Sequence, residues 1–315
     1  MFILKDQKFI ESKFTSEQEI EDVVVANSEH FFGPSSVLIP KAKISTSDGF
    51  GTIPDAFAVD LAARVWYVVE AELGHHSVWT HIAPQVSKQI LAVGRSETRQ
   101  LLTDILVQMI DEDDTVSEKF ADEKIKAIDI RKVLGEIFAD KPIVGMPIDT
   151  VSNDLRDWVQ TLRNDVRLWI VKKYVLFRNQ EVVAYEIPEE YRPILDTTGQ
   201  TNRQKLGRGT YDVSLADLMQ EGYLEEGDHL SMSYGPRGKR KTTFRATLGG
   251  DGSLSVGGDI YSSLSYAALA CMQSVGSDRT TVNGWTKWRR KGRFLSDVRD
   301  AYLQTKAGEE EQAPI

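Results

Sequence analysis

The segment TIPDAFAVDLAARVWYVVEAEL, residues 52–73, holds three carboxylates placed to meet a divalent cation: Asp55, Glu70 and Glu72. Asp55 falls at the start of a strand expected over residues 52–59, and the β-branched, aromatic run 64–73 is expected to form a central strand beside it. Side chains alternate along a strand, so Glu70 and Glu72 point to one face. Their neighbours Val68, Val69, Ala71 and Leu73 are apolar, and a carboxylate there is costly unless a cation compensates it. Two outcomes fit: pairing with Lys or Arg elsewhere, or ligation of Mg²⁺, which favours a few carboxylates plus water. Mg²⁺ or Mn²⁺ held there would polarise a phosphoryl oxygen and acidify a water, as phosphodiester hydrolysis requires.

The elements that must carry these residues follow from pattern. Ser16-Glu17-Gln18-Glu19 has the form of a capping box and predicts a helix over 16–27. Short strands are expected at 38–43 and 142–146, with a turn at 49–51. Helical periodicity covers 77–110, 124–139 and 152–163, with Trp158 on the apolar face of the last, and the acidic stretch 111–114 is expected as a loop. Residues 166–177 and 181–187 predict two strands joined through Arg178-Asn179-Gln180. The whole predicts an α/β unit over 1–190, a mixed sheet flanked by helices. Residues 191–210, rich in Thr, Gly, Asn and Gln, suit a linker. A second unit is expected over 211–305, and the tail 306–315 is expected to be disordered.

The first unit resembles the PD-(D/E)xK nuclease superfamily. Pro54-Asp55 matches its first element, and Glu70-Ala71-Glu72 its second, with Glu72 standing where lysine is usual. That is the E-x-E variant of some type II restriction enzymes, in which the second glutamate is thought to position or deprotonate the water. The resemblance spans roughly residues 14–190 and implies a restriction-endonuclease-like sheet with Asp55, Glu70 and Glu72 at the catalytic centre. It further implies Glu21 as a metal ligand from the N-terminal helix, with Glu17 the next candidate, and Gln85 as a buttress from the following helix. Lys88 is the candidate for the missing ammonium. His75, His76 and His81 offer a rival Zn²⁺ set, but their spacing matches no compact zinc motif and adjacent histidines at a strand end point apart. Contact of His75 or His76 with a phosphate is the other use open to them.

The chain has 315 residues and a net charge of -9, unlike most nucleic-acid binders. The charge is uneven: residues 1–200 hold 22 Lys and Arg against 33 Asp and Glu, whereas residues 201–315 hold 16 against 14. The second half also clusters Arg237, Lys239, Arg240 and Lys241, and again Arg289, Arg290, Lys291 and Arg293, so it can grip phosphates locally. Cys271 is the single cysteine, which excludes an intramolecular disulfide and a multi-thiolate zinc cluster. No apolar run of about 18 residues suits a membrane span, and early charges exclude a secretory signal, so a cytoplasmic protein is expected.

Within residues 211–302 the series SLADLMQEGYLEEGD, RATLGGDGSLSVGG, YSSLSYAALA, VNGWTKW and LSDVRDAY closely resembles the RAMA domain, named for association with restriction enzymes and adenine methylases. The resemblance implies a small α+β domain that reads DNA, with modified bases the leading target. By position, Ser263, Ser265, Asn283, Trp285 and Trp288 match the family's distinctive residues, although Leu264 stands where proline is usual. Trp285 and Trp288 could stack on a base, or belong to the core. With Arg240, Lys241, Arg289 and Arg290, they form the expected contact set for double-stranded DNA. The combined expectation is a Mg²⁺-dependent restriction-type endonuclease, with a homodimer suited to double-strand cutting. The alternatives are a non-catalytic DNA-binding protein that retains a nuclease fold, and a hydrolase of another phosphoester.

Overall fold

In the computed structural model, which describes residues 1–187, 213–236 and 239–312, the chain divides into two units, Met1–Arg203 and Gln204–Ile315. Both mix helices and sheets. The expected linker 191–210 lies outside the described residues.

The first unit is built on a five-stranded sheet of order β3-β6-β7-β8-β9, formed by Ser36–Ile39, Ala56–Asp60, Val65–Val69, Ile143–Ile148 and Val166–Ile170. Strands β3, β6 and β7 are antiparallel; β7, β8 and β9 run parallel. The run 64–73 is therefore the middle strand, as its composition predicts, although regular pairing ends at Val69. Trp66 and Val68 bury on one face with Phe57, Val59 and Leu102. Tyr67, of opposite parity, meets Phe32 and Trp169 on the other.

The helices differ from expectation where a cap intervenes. Helix α1 (Glu17–Ala26) starts as predicted, with the Ser16 hydroxyl accepting from the Glu19 N–H at 3.3 Å. Only half the capping box forms, because the Glu19 carboxylate accepts from the Thr15 N–H instead. The periodic stretch 77–110 is three pieces: a wide π-type turn at Val78–Ile82, helix α3 (Ala83–Val93) and helix α4 (Ser96–Glu112). Gly94 caps α3, and Arg95 is extended so that its guanidinium reaches the Thr46 carbonyl at 2.6 Å. The acidic stretch expected as a loop instead ends α4 with Asp111 and Glu112 and opens helix α5 (Asp114–Asp122), because Asp113 accepts from the Thr115 N–H at 2.8 Å and caps the new helix.

The long apolar run 166–177 is not one strand. Its first part is β9; its second, β10 (Lys172–Leu176), leaves that sheet and pairs with β2 (Gln7–Ser12) and β11 (Asn179–Glu186). An apolar run records burial but not which sheet does the burying, so the division at Val171 is set by pairing partners.

In the second unit, helix α8 (Leu215–Gln220) begins with a complete capping box between Ser214 and Asp217. A six-stranded antiparallel sheet follows: β12 (His229–Tyr234), β13 (Thr242–Leu248), β14 (Leu254–Val256), β15 (Asp259–Tyr261), β16 (Arg289–Arg290) and β17 (Arg293–Phe294). Helix α9 (Leu264–Ser274) packs on it around Leu264, Ala268 and Met272. Helix α10 (Leu295–Gln312) continues through residues 306–312, part of the tail expected to be disordered. Lys, Ala, Glu and Gln are strong helix formers, and extending an existing helix needs no new nucleus. Among the described residues, no helix is long and apolar enough to cross a membrane.

Candidate acidic metal centre

The site forms where the β6–β7 ladder stops. The last register pair is Ala56 with Val69, and beyond it the Ala71 N–H donates to Asp55 Oδ2 at 2.8 Å instead of to a strand carbonyl. On its other edge the chain keeps parallel bonding to β8, with Glu70 N–H to Gly145 O at 2.9 Å and Glu72 N–H to Pro147 O at 3.0 Å. The Glu70-Ala71-Glu72 backbone is thus pinned from both sides. Just beyond, only glycine fits at position 74, since a Cβ there would lie 2.2 Å from the Thr150 carbonyl oxygen.

Glu70 shares the parity of Trp66 and Val68, and helix α3 meets it with two amides one turn apart. Gln85 Nε2 donates to Glu70 Oε1, and Gln89 Nε2 donates to Glu70 Oε2 at 2.6 Å. The buttress predicted at Gln85 is therefore doubled by Gln89, a buried residue missed in the sequence although the i, i+4 spacing could have shown it. Burial pushes the Glu70 carboxyl up to about 8, with repulsion from Asp55 the next cause. Burial likewise raises Asp55 to about 6, against the lowering effect of the Ala71 N–H and with added repulsion from Glu21. Glu72, 1% exposed, is raised to about 9 by burial and by the adjoining Glu17 carboxyl.

Both candidate acids of α1 reach the site, one turn apart. Glu21 binds Lys41 Nζ at 2.6 Å, and the same ammonium lies 3.4 Å from Asp55 Oδ1. Lys41 is raised in turn, chiefly by its bond to Glu21. Lys88 does not fill this place. It is exposed, about 100° around α3 from Gln89, and makes no ion pair with the acidic group among the described residues. Lys41 was missed because no local pattern links it to the acids; extending the β3–β6 register beyond Ile39 with Phe57 sets position 41 opposite Asp55.

The histidines also depart from expectation. His75 is exposed, but His76 Nδ1 lies 2.6 Å from Glu17 Oε1 and 3.2 Å from Glu72 Oε2. His81 Nε2 lies 3.6 Å from Glu17 Oε1 and 3.9 Å from Glu72 Oε1. The π-type turn at 78–82 carries His81 back over the strand end, a geometry that spacing alone does not give.

In the second unit most of the singled-out residues join chain segments together. Ser263 caps α9 by accepting from the Tyr266 N–H at 3.1 Å, and Leu264 occupies the first helical position, where proline is also well tolerated. Gly284 sits so close to the Leu264 backbone that a Cβ would lie 2.3 Å from its carbonyl carbon, and the Gly284 N–H donates to Ser265 Oγ at 3.2 Å. Asn283 Oδ1 accepts from the Trp285 N–H. Trp288 is fully buried and donates its indole N–H to the Leu264 carbonyl at 3.0 Å, which is a core position. Trp285 is half-buried, with the Arg299 guanidinium 5.0 Å from its ring.

Residues 196–308 match the family model described as Restriction Enzyme Adenine Methylase Associated, RAMA. The C-terminal unit carries the RAMA match. It covers about a third of the chain, and none of its residues lies in the acidic centre. No curated protein matches the chain.

The cations of the RAMA unit divide by position. Arg290 is tied down, its Nε 2.7 Å from Asp228 Oδ2 and its NH1 2.8 Å from the Tyr223 carbonyl, while Arg289 stacks over Phe294 at 3.8 Å. Arg240 and Lys241 are exposed at the opposite end of β12, and Arg237 lies outside the described residues. Two separate basic ends result, not one patch. The full burial of Trp288 and the half-burial of Trp285 predict unequal losses. In urea unfolding, Trp288→Ala should cost about 3–5 kcal/mol, and Trp285→Ala clearly less; equal losses would contradict this division.

Proposed function

We propose that the N-terminal unit is a Mg²⁺-dependent DNA endonuclease of restriction type, with a restriction-endonuclease-like sheet, and that the RAMA unit directs it to double-stranded DNA, modified bases included. The observation that carries this reading is the meeting of Asp55, Glu70, Glu72 and Glu21 at one strand end, in a chain whose other unit matches RAMA.

The donor set fits a divalent ion. The carboxyls are pushed toward protonation by burial and mutual repulsion, and a cationic ammonium already lies between Glu21 and Asp55. Asp55 and Glu70 would hold Mg²⁺ or Mn²⁺, with Glu21 completing the set. Such an ion supplies Lewis acidity at a phosphoryl oxygen and acidifies a bound water. Gln85 and Gln89 fix the orientation of Glu70, as supporting donors do for metal-ligating carboxylates. Glu72 offers a proton-accepting carboxylate where the nuclease pattern usually has lysine. Lys41, released from Glu21, would supply the ammonium that the pattern lacks. Cutting both strands favours a homodimer with two such centres, and a cytoplasmic site of action belongs to the same proposal.

The test is incubation of the full chain with Mg²⁺ or Mn²⁺ and plasmids bearing different base modifications. Cleavage is expected, and Asp55→Ala should abolish it while DNA binding persists. Tight binding without cutting under either metal would instead identify a DNA-binding protein that retains a nuclease-like fold.

A further inference from the structure

The histidine side of the strand end has a chemistry that the acidic centre lacks. Glu17, Glu72, His76 and His81 each present one ligand atom, and the four atoms lie within 4.8 Å of one another. Two are imidazole nitrogens and two are carboxylate oxygens. Imidazole favours Zn²⁺-class ions, whereas Mg²⁺ selects oxygen ligands. Four ligands about 2.0–2.1 Å from a tetrahedral Zn²⁺ stand roughly 3.3–3.5 Å apart. His76 and His81 lie 2.6 and 3.6 Å from Glu17 Oε1, and 3.2 and 3.9 Å from Glu72 Oε2 and Oε1 respectively; these distances bracket that spacing, so side-chain rotations that turn one Glu72 oxygen to both imidazoles complete the shell.

Two further observations indicate that a cation belongs there. Glu17 Oε1 is shut off from solvent yet receives no aligned hydrogen bond among the described residues, although His76 Nδ1 is 2.6 Å away. Glu72 is 1% exposed and lies against a second carboxyl, that of Glu17. Two acids in such contact, one of them buried, need a proton or a cation between them. The ammonium of Lys41 is engaged with Glu21 and Asp55.

We propose that Glu17, Glu72, His76 and His81 form a Zn²⁺ site, distinct in ligand chemistry from the Asp55–Glu70 centre and adjoining it through Glu72. Glu17 comes from the first turn of α1, Glu72 from the strand end, His76 from the turn fixed by Gly74, and His81 from the π-type turn. Four separate segments therefore converge on the ion. The site does not depend on the nuclease reading, because Zn²⁺ binding needs no DNA and no cleavage.

Calorimetric titration of the metal-stripped full chain with Zn²⁺, repeated with Co²⁺ and read by its visible spectrum, tests the proposal. One tight site with a tetrahedral Co²⁺ spectrum is expected. His76→Ala and His81→Ala should each weaken Zn²⁺ binding by about 100-fold or more. His75→Ala, at an exposed neighbouring histidine, should leave it unchanged, and Asp55→Asn should keep the spectrum. His81 is 47% exposed, so its replacement tests ligation with little risk to folding. Absence of a tight site, or equal affinity in His76→Ala and His81→Ala, would overturn the proposal. Loss of the spectrum in Asp55→Asn would overturn it as well, by placing the ion in the acidic centre.

Discussion

Glu70→Gln should melt at a higher temperature than the unaltered protein at pH 8 without metal, and should lose Mg²⁺-dependent DNA cutting by about 10³-fold or more. The two effects have one cause. Glu70 is held at about 8 against an ordinary 4.5, so keeping it ionised in the fold costs on the order of 4 kcal/mol at pH 8. A neutral amide of the same shape avoids that cost. It also finds partners, because Gln89 Oε1 is buried without a hydrogen bond among the described residues and a flip of that amide would let it accept from the new side-chain N–H₂. For a unit of this size the gain corresponds to roughly 8–16 °C in Tm. The amide cannot donate a carboxylate to a metal, so cutting is lost while stability rises. Differential scanning fluorimetry beside a plasmid cleavage assay reads both. A lower Tm for Glu70→Gln at pH 8 would remove the electrostatic basis of the site.

The second large effect is on pH dependence. Asp55, Glu70 and Glu72 all have folded-state values above the ordinary range, at about 6, 8 and 9. Groups raised on folding hold protons that the unfolded chain has released, so their stability is full below about pH 4 and is lost as pH rises through the folded values. The metal-free protein should therefore lose Tm progressively between pH 5 and 9, about the range set by these groups. Millimolar Mg²⁺ or Mn²⁺ should raise Tm at pH 8 much more than at pH 5, since binding needs the ionised carboxylates. A metal-free Tm that rises from pH 5 to 9, or a metal effect independent of pH, would contradict the clustering of these acids.

Glu70 and Glu72 were legible because strand alternation is a local rule and because two acids in an apolar run conflict with burial. Glu21 and Glu17 were implied only by the nuclease resemblance of the N-terminal helix, while Ser16 marked where that helix starts. Lys41 was not legible, since only the β3–β6 register sets it opposite Asp55. Lys88 failed because its place on the following helix gave no rotation about α3, and Gln85 and Gln89 occupy the face toward Glu70. The pairing of His76 with His81 depends on a turn whose shape no spacing rule records.

In the second unit, VNGWTKW carried part of the RAMA resemblance, and its glycine packs against the Leu264 backbone. Which tryptophan enters the core was undecided until the chain was folded. Trp288 inserts and donates to Leu264, while Trp285 stays half-buried against the core beside Arg299. The basic runs told of charge but not of its use, and Asp228 consumes one of the arginines.

By itself, the sequence determined the mixed α/β character, the middle strand bearing Glu70 and Glu72, the helix start at Ser16 and the likeness of the C-terminal third to RAMA. These are local, because propensity, periodicity and capping act within a few residues. Only the tertiary structure decided that Lys41 bridges Glu21 and Asp55, that Gln89 joins Gln85 on Glu70, and that two histidines meet Glu17 and Glu72. Those contacts join segments distant in sequence, and their geometry is set by register and by turns, which depend on the whole packed unit.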